Sequence, residues 1–174
     1  MLVVAATERE LAHVHGADVF TCGVGPVEAG VQTSRMLAAQ RPEAVLHVGI
    51  AGGRRIDPLT VVLGSVSFYC DLSVAIAVVD RVEPDAALLE QARSALPAAR
   101  VLAIGTSASV GGAAGYDVEA MEGFGVLRAC ALAGVPAVEL RVVANDPAEP
   151  DRAKWRFDES FAVLGDAVAR VLSS

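Results

Sequence analysis

Four polar side chains stand in apolar surroundings, and as a set they can attack a bond with water. Glu10 follows the apolar run Leu2 to Ala6 in the stretch Ala6-Thr7-Glu8-Arg9-Glu10-Leu11. A carboxylate held at the end of a buried strand can accept a proton from water; a solvated acidic turn is the competing account. Glu122 stands in Val118-Glu119-Ala120-Met121-Glu122-Gly123, where burying a carboxylate requires donors. The paired hydroxyls of a ribose would supply them, although Glu119, three residues earlier, leaves room for an ordinary charged helix face. Arg141 interrupts the apolar run Ala137 to Val143, where a lone guanidinium is costly. It needs a partner, either Glu139, a distant acid or a bound water. Asn145 and Asp146 follow, and as Asn-Asp-Pro they also read as a plain turn.

The hydropathy pattern indicates elements able to bring these residues together. Strands are expected at Leu2 to Ala6, Asp18 to Val24, Ala44 to Gly49, Val61 to Phe68, Leu72 to Val79, Arg100 to Ile104 and Pro136 to Val143. A helix should start at Pro26, whose missing N–H is harmless there, and run to Gln40 with Val27, Val31, Ser34 or Arg35, and Ala38 tracing one small-residue face. Pro84 to Leu96 reads as a second helix with Leu88, Leu89 and Ala92 inward, and Asp117 can cap a third running to about Ala133. Phe157, Phe161, Leu164, Val168 and Leu172 trace the stripe of a last helix. Ile50 to Gly53 and Gly105 to Gly115 are expected as loops.

This alternation predicts one α/β domain over residues 1–174, a three-layer αβα arrangement around a central mixed, mostly parallel sheet. Ligands of such sheets lie over the carboxyl ends of the strands. Here those ends are Thr7 to Glu10, Gly49 to Gly53, Gly105 to Val110 and Ala144 to Asp146.

Composition narrows the function classes. A net charge of −7 offers no basic stripe for a run of phosphates, which argues against nucleic acid as a partner. No apolar run is long enough for a membrane span, and the amino terminus turns charged too early for a signal peptide. A cytoplasmic location is the expectation. Cys22, Cys70 and Cys130 form no C-x-x-C pair and are expected as buried, reduced thiols. His13, His15 and His47 are expected in surface or core roles rather than as metal ligands, and neither metal nor cofactor is implied. Gly23-Val24-Gly25-Pro26-Val27-Glu28 fails as a dinucleotide fingerprint because Glu28 replaces the last glycine, and no G-x-S-x-G elbow is present.

Five segments in order resemble the purine nucleoside phosphorylase and nucleosidase superfamily: Ala5-Ala6-Thr7-Glu8-Arg9-Glu10, Cys22-Gly23-Val24-Gly25-Pro26, His47-Val48-Gly49-Ile50-Ala51-Gly52-Gly53, Glu119-Ala120-Met121-Glu122-Gly123 and Arg141-Val142-Val143-Ala144-Asn145. Asn145 with the closing Arg152-Ala153-Lys154-Trp155, and Ile50, are most similar to its futalosine hydrolase branch. The resemblance implies an N-glycosyl hydrolase in which Glu10 deprotonates the attacking water, Arg141 orients it, and Met121 and Glu122 hold the ribose. It adds Ala51, Gly52 and Ala108 as substrate-binding residues and Asn145 as the group that meets the leaving purine. An amide there suits a 6-oxopurine, so hypoxanthine is the expected product; adenine-specific nucleosidases place Asp at this position. A homodimer or higher homo-oligomer is also implied. Ala144 departs from the serine of the pattern, the stretch from Val79 to Arg100 is short, and Gly105 to Val110 lacks the aromatic residue that covers the base. These departures keep a methylthioadenosine/adenosylhomocysteine nucleosidase and a noncatalytic nucleoside-binding protein in view.

Overall fold

The computed structural model describes residues 1–174. The chain runs β1 (Leu2–Ala5), α1 (Glu8–Leu11), β2 (Val19–Thr21), α2 (Pro26–Ala39), β3 (Val45–Gly53), β4 (Val61–Tyr69), β5 (Arg81–Val82), α3 (Ala86–Ala95), β6 (Arg100–Thr106), β7 (Val118–Ala120), α4 (Gly123–Ala133), β8 (Ala137–Asn145), a 3-10 turn at Arg152–Lys154 and α5 (Phe157–Leu172).

One eight-stranded mixed sheet carries the molecule. β1 pairs in parallel with β2 and β3, and β3 with β8. β8 also pairs antiparallel with β4, β4 in parallel with β6, and β6 in parallel with β7. The last residues of β3 turn past a bulge to meet β7 antiparallel, so β3, β8, β4, β6 and β7 close into a ring. Ala51, Ile56, Val62, Ile104, Val118, Ala120 and Val143 form one apolar cluster at this ring. One outer layer packs α3 and α5 on Val3, Leu46, Leu140 and Val142; the other packs α2 and α4 on Leu2, Val4 and Val45. β8, apolar except for Glu139, Arg141 and Asn145, is buried along its whole length, as a strand covered on both faces must be.

Helix ends follow local chemistry. Asp85 accepts from the N–H groups of Ala87 and Leu88 to start α3. α4 stops at Gly134 in the left-handed conformation (φ 68°), which leaves the next residue free to return toward the sheet.

Several sequence expectations are corrected. Ile50 to Gly53 is strand rather than loop, since β7 supplies pairing partners for Gly52 and Gly53. Leu72 to Val79 forms no strand; it finds no neighbouring edge and exposes Val74, Ile76, Val78 and Val79. The expected helix from Asp117 begins only at Gly123, because Val118–Ala120 pairs with β3 and β6. The inward face of α2 carries Ala29, Thr33, Met36 and Leu37, while Val27 and Val31 are exposed. Cys22 and Cys130 are buried free thiols as expected, but Cys70 is only partly buried. No helix is long and apolar enough to cross a membrane.

Candidate active site

The capping box of α1 explains how Glu10 is held. Thr7 accepts from the Glu10 N–H (3.4 Å), and Glu10 Oε2 accepts from the Thr7 N–H and hydroxyl, both at 3.0 Å. Its other oxygen, Oε1, accepts from the Ile50 N–H (3.1 Å), tying α1 to β3. The side chain is therefore buried, not part of a solvated turn. Burial pushes its pKa above the ordinary carboxylate value, Arg141 pulls it down, and Glu122 pushes it up.

Arg141 is fully buried on β8 and approaches Glu10 over Gly49. A Cβ at Gly49 would collide with the Arg141 guanidinium and the Glu10 carboxylate, so glycine is what lets the two meet there. Arg141 Nε donates to Glu139 Oε1 (2.8 Å), and Nη1 lies 3.5 Å from Glu122 Oε2. Glu122 sits at the junction of β7 and α4 and accepts on Oε1 from the Gly25 N–H (3.1 Å). Gly25 reaches it from the turn before α2, at φ 91°, a value that favours glycine. The ion pair with Glu139 and the contacts to Glu10 and Glu122 thus coexist.

These groups border a cavity of about 450 Å³ at the carboxyl ends of the strands. Glu10, Ala51, Gly52, Met121, Glu122 and Asn145 line it. Arg141 does not; it lies behind Glu10 and Glu122. Ala108 does not either. Its N–H is held by Asp71 Oδ2 (2.7 Å) and the residue is exposed, while Ser109 and Val110 line the wall in its place. The Met121–Glu122 pair precedes α4 instead of riding within a helix, and Glu119 belongs to β7, where it binds Arg54 at 2.6 Å. Asn145 is 8% exposed, and its Nδ2 has no hydrogen-bond partner. A buried donor of this kind beside a cavity can be satisfied by an acceptor placed in that cavity.

Trp155, Phe157 and Phe161, read from the sequence as a motif end and a helix stripe, also line the cavity. They form a row: Trp155 edge-on to Phe157 at 5.6 Å, and Phe157 stacked on Phe161 at 6.3 Å. Arg152 lies over the Trp155 ring and Arg9 over the Phe161 ring, each at 5.2 Å from the centroid. Such a wall can hold a flat apolar group. The signal available in the sequence was the short spacing of three aromatics after the Asn145 strand end. A larger open concavity, about 850 Å³, lies where β1 and β3 begin, near Met1, Asp18 and Glu43. Asp18 and Glu43 are solvent-exposed there, so it offers no comparable cluster of buried polar groups.

The phosphorylase superfamily model matches residues 9–174. The chain belongs to the phosphorylase superfamily. The futalosine hydrolase of Streptomyces coelicolor is 34% identical over 186 aligned residues, covering 90% of this chain and 78% of that one. A futalosine hydrolase mutant from Helicobacter pylori superposes with a TM-score of 0.87 at 15% identity, covering 99% of this chain and 97% of that one. The same organism's MTAN-D198N mutant, solved with 5'-methylthioadenosine in the active site, gives 0.87 at 16% identity over the same shares. At those identities the two structures establish the phosphorylase-superfamily fold for this chain, and the mixed sheet with helical layers is that fold.

Proposed function

We propose that the chain hydrolyses the N-glycosidic bond of a purine nucleoside, futalosine above all, releasing hypoxanthine in menaquinone biosynthesis. The observation that carries this reading is the convergence of Glu10, Glu122 and the unpartnered Asn145 amide on one cavity, with Arg141 directly behind the two acids. The names of the relatives favour futalosine over other nucleosides.

In this mechanism the C1′–N9 bond stretches first, leaving positive charge on the ribose and carrying the electron pair into the base. Glu122 accepts from the ribose hydroxyls beside Met121, and its negative charge favours the cationic sugar. Water adds to C1′ and gives a proton to Glu10, which returns it to solvent, while the departing purine takes up a proton from solvent at nitrogen. Asn145 donates to the purine and stabilises the charge that moves there. Hydrolysis is preferred to phosphorolysis because the buried cation, Arg141, is engaged by Glu139 and Glu122, and the two cations on the cavity wall, Arg9 and Arg152, lie over aromatic rings rather than converging on one point.

The test is incubation with futalosine, inosine, methylthioadenosine and adenosylhomocysteine, followed by chromatography of the released base. Hypoxanthine from futalosine supports the reading; binding with no base released supports a noncatalytic binder instead. Asn145→Asp is expected to shift preference toward 6-aminopurine nucleosides by about 10- to 100-fold in relative kcat/KM, since the pairing of one buried polar group changes sign. An unchanged ratio removes Asn145 from base selection.

A second copy of this chain is the expected partner. Val24 lines the cavity yet is 56% exposed, and Val27 and Leu132 border a neighbouring groove with exposures of 72% and 71%. Large apolar side chains so exposed beside a site mark an interaction surface. Sedimentation equilibrium should give twice the chain mass, and Val27→Glu should reduce it to one; a monomeric parent protein discards the interface.

A further inference from the structure

The reaction above leaves His47 without a task, although it touches the buried cation. It is fully buried on β3, and the register with β8 places it beside Glu139, while Gly49 stands beside Arg141. Nδ1 lies 3.0 Å from the Val4 carbonyl oxygen. A carbonyl only accepts, so Nδ1 carries the proton and Nε2 keeps a lone pair. That lone pair faces Arg141 Nη2, which only donates. The two contacts together admit one state, the neutral ring protonated at Nδ1.

Arg141 has three nitrogens to place. Nε is taken by Glu139 and Nη2 by His47, whereas Nη1 has no hydrogen-bond partner. Two anchored nitrogens fix the guanidinium plane, because its five N–H donors form a rigid fork. The remaining one is thereby held over Gly49, next to the Glu10 and Glu122 carboxylates. We propose that His47 is a positioning residue for the hydrolytic reaction: it locks Arg141 so that Nη1 stays beside Glu10 and Glu122, behind the cavity wall, and holds the Glu10 carboxylate as the base that meets the attacking water. This rests on the hydrolase reading given above.

The residue type suits the task. An apolar side chain would fill the same space but lose the contact to the Val4 carbonyl and leave Arg141 Nη2 without its partner. A carboxylate would add a fourth acid around one guanidinium already facing Glu10, Glu122 and Glu139. A neutral imidazole supplies one donor and one acceptor in opposite directions and no charge. It also ties β8 to β1, the strand that leads into the Thr7–Glu10 capping box.

The experiment compares His47→Leu, which keeps bulk and loses both polar contacts, with His47→Gln, whose amide retains a donor and an acceptor. Turnover of futalosine is measured, and the Glu10 titration midpoint is followed by carboxyl carbon NMR in the unliganded proteins. The groups facing Glu10 are Arg141 from β8, Glu122 from the turn before α4, and the Cys22 thiol after β2, which is pushed up to about 12 and stays neutral. With Arg141 released, the midpoint should move upward in the leucine variant. Its kcat should fall roughly 10- to 100-fold, as for a misplaced reacting group, with KM little changed. The glutamine variant should stay close to the parent in both readouts.

A leucine variant with parental kcat and midpoint overturns the proposal, and so does a glutamine variant as impaired as leucine. If the leucine variant does not fold, His47→Asn, whose shorter amide reaches only one partner, takes its place under the same criteria. If the parent protein releases no base, the hydrolase reading fails, while the midpoints still report whether His47 holds Arg141.

Discussion

Glu10→Gln is expected to lower turnover by roughly two orders of magnitude or more, the usual effect of removing a general base. The same change has opposing effects on the fold. Glutamine keeps an oxygen for the Ile50 N–H and removes an ionisation that burial opposes, but its amide nitrogen then faces the Thr7 N–H and hydroxyl that Glu10 Oε2 accepts from. In the parent protein Glu10 binds its proton more tightly folded than unfolded, because its pKa is raised. Between the two values the native state therefore holds the extra proton, and stability falls as pH rises through that window. The glutamine variant loses this contribution to the slope, so its stability relative to the parent should improve toward neutral pH. Activity runs in the opposite sense, since the base acts only when ionised: the acid limb of kcat should lie above the ordinary carboxylate range. Steady-state assays with urea unfolding at several pH values measure both. Near-parental turnover in the variant removes Glu10 from the mechanism.

Arg141→Leu should cost about 3–5 kcal/mol at neutral pH, the range for leaving buried charges without their partner. Glu139 loses its 2.8 Å donor, and Glu10 and Glu122 lose the cation between them. The deficit should shrink on acidification, because carboxylates that have lost their cation are relieved by protonation. Adding Glu139→Gln should recover part of the loss, since the two residues are in direct contact and their effects are not additive. Urea denaturation of the parent, both single variants and the double variant gives the coupling. A loss below about 1 kcal/mol, typical of solvated pairs, would show that water already screens this cluster.

The sequence discloses these elements unevenly, for physical reasons. β1, β8 and the first part of β3, up to Gly49, are read correctly because strands buried on both faces appear as continuous apolar runs. Val118–Ala120 is read as helix because Glu119 and Ala120, followed by Met121, favour helices locally, whereas the strand exists only through partners 14 and 67 residues earlier in the chain, as the pairings Glu119 with Gly105 and Gly52 record. Leu72 to Val79 shows the converse: its β-branched residues favour a strand, but no edge is there to receive it. Within the site, Thr7-x-x-Glu10 carries its own local signal as a capping box. The contact of His47 with Arg141, 94 residues apart, has none. Phe157 and Phe161 obey the period of a buried helix face, yet the cavity opens at that end of the face, and periodicity does not distinguish core from pocket.

Closure of the strand ring has a bearing on how the protein is made. β8, which carries Arg141 and Asn145, is inserted between β3 and β4, strands synthesised some 75 to 90 residues earlier. On the ribosome β3 and β4 must wait with unfilled edges until nearly the whole chain has emerged, and neither half can bind a nucleoside in the meantime. Catalytic competence should then arrive in one late event during biosynthesis, at the cost of a long interval in which two adjacent apolar strands are open to capture by neighbouring nascent chains.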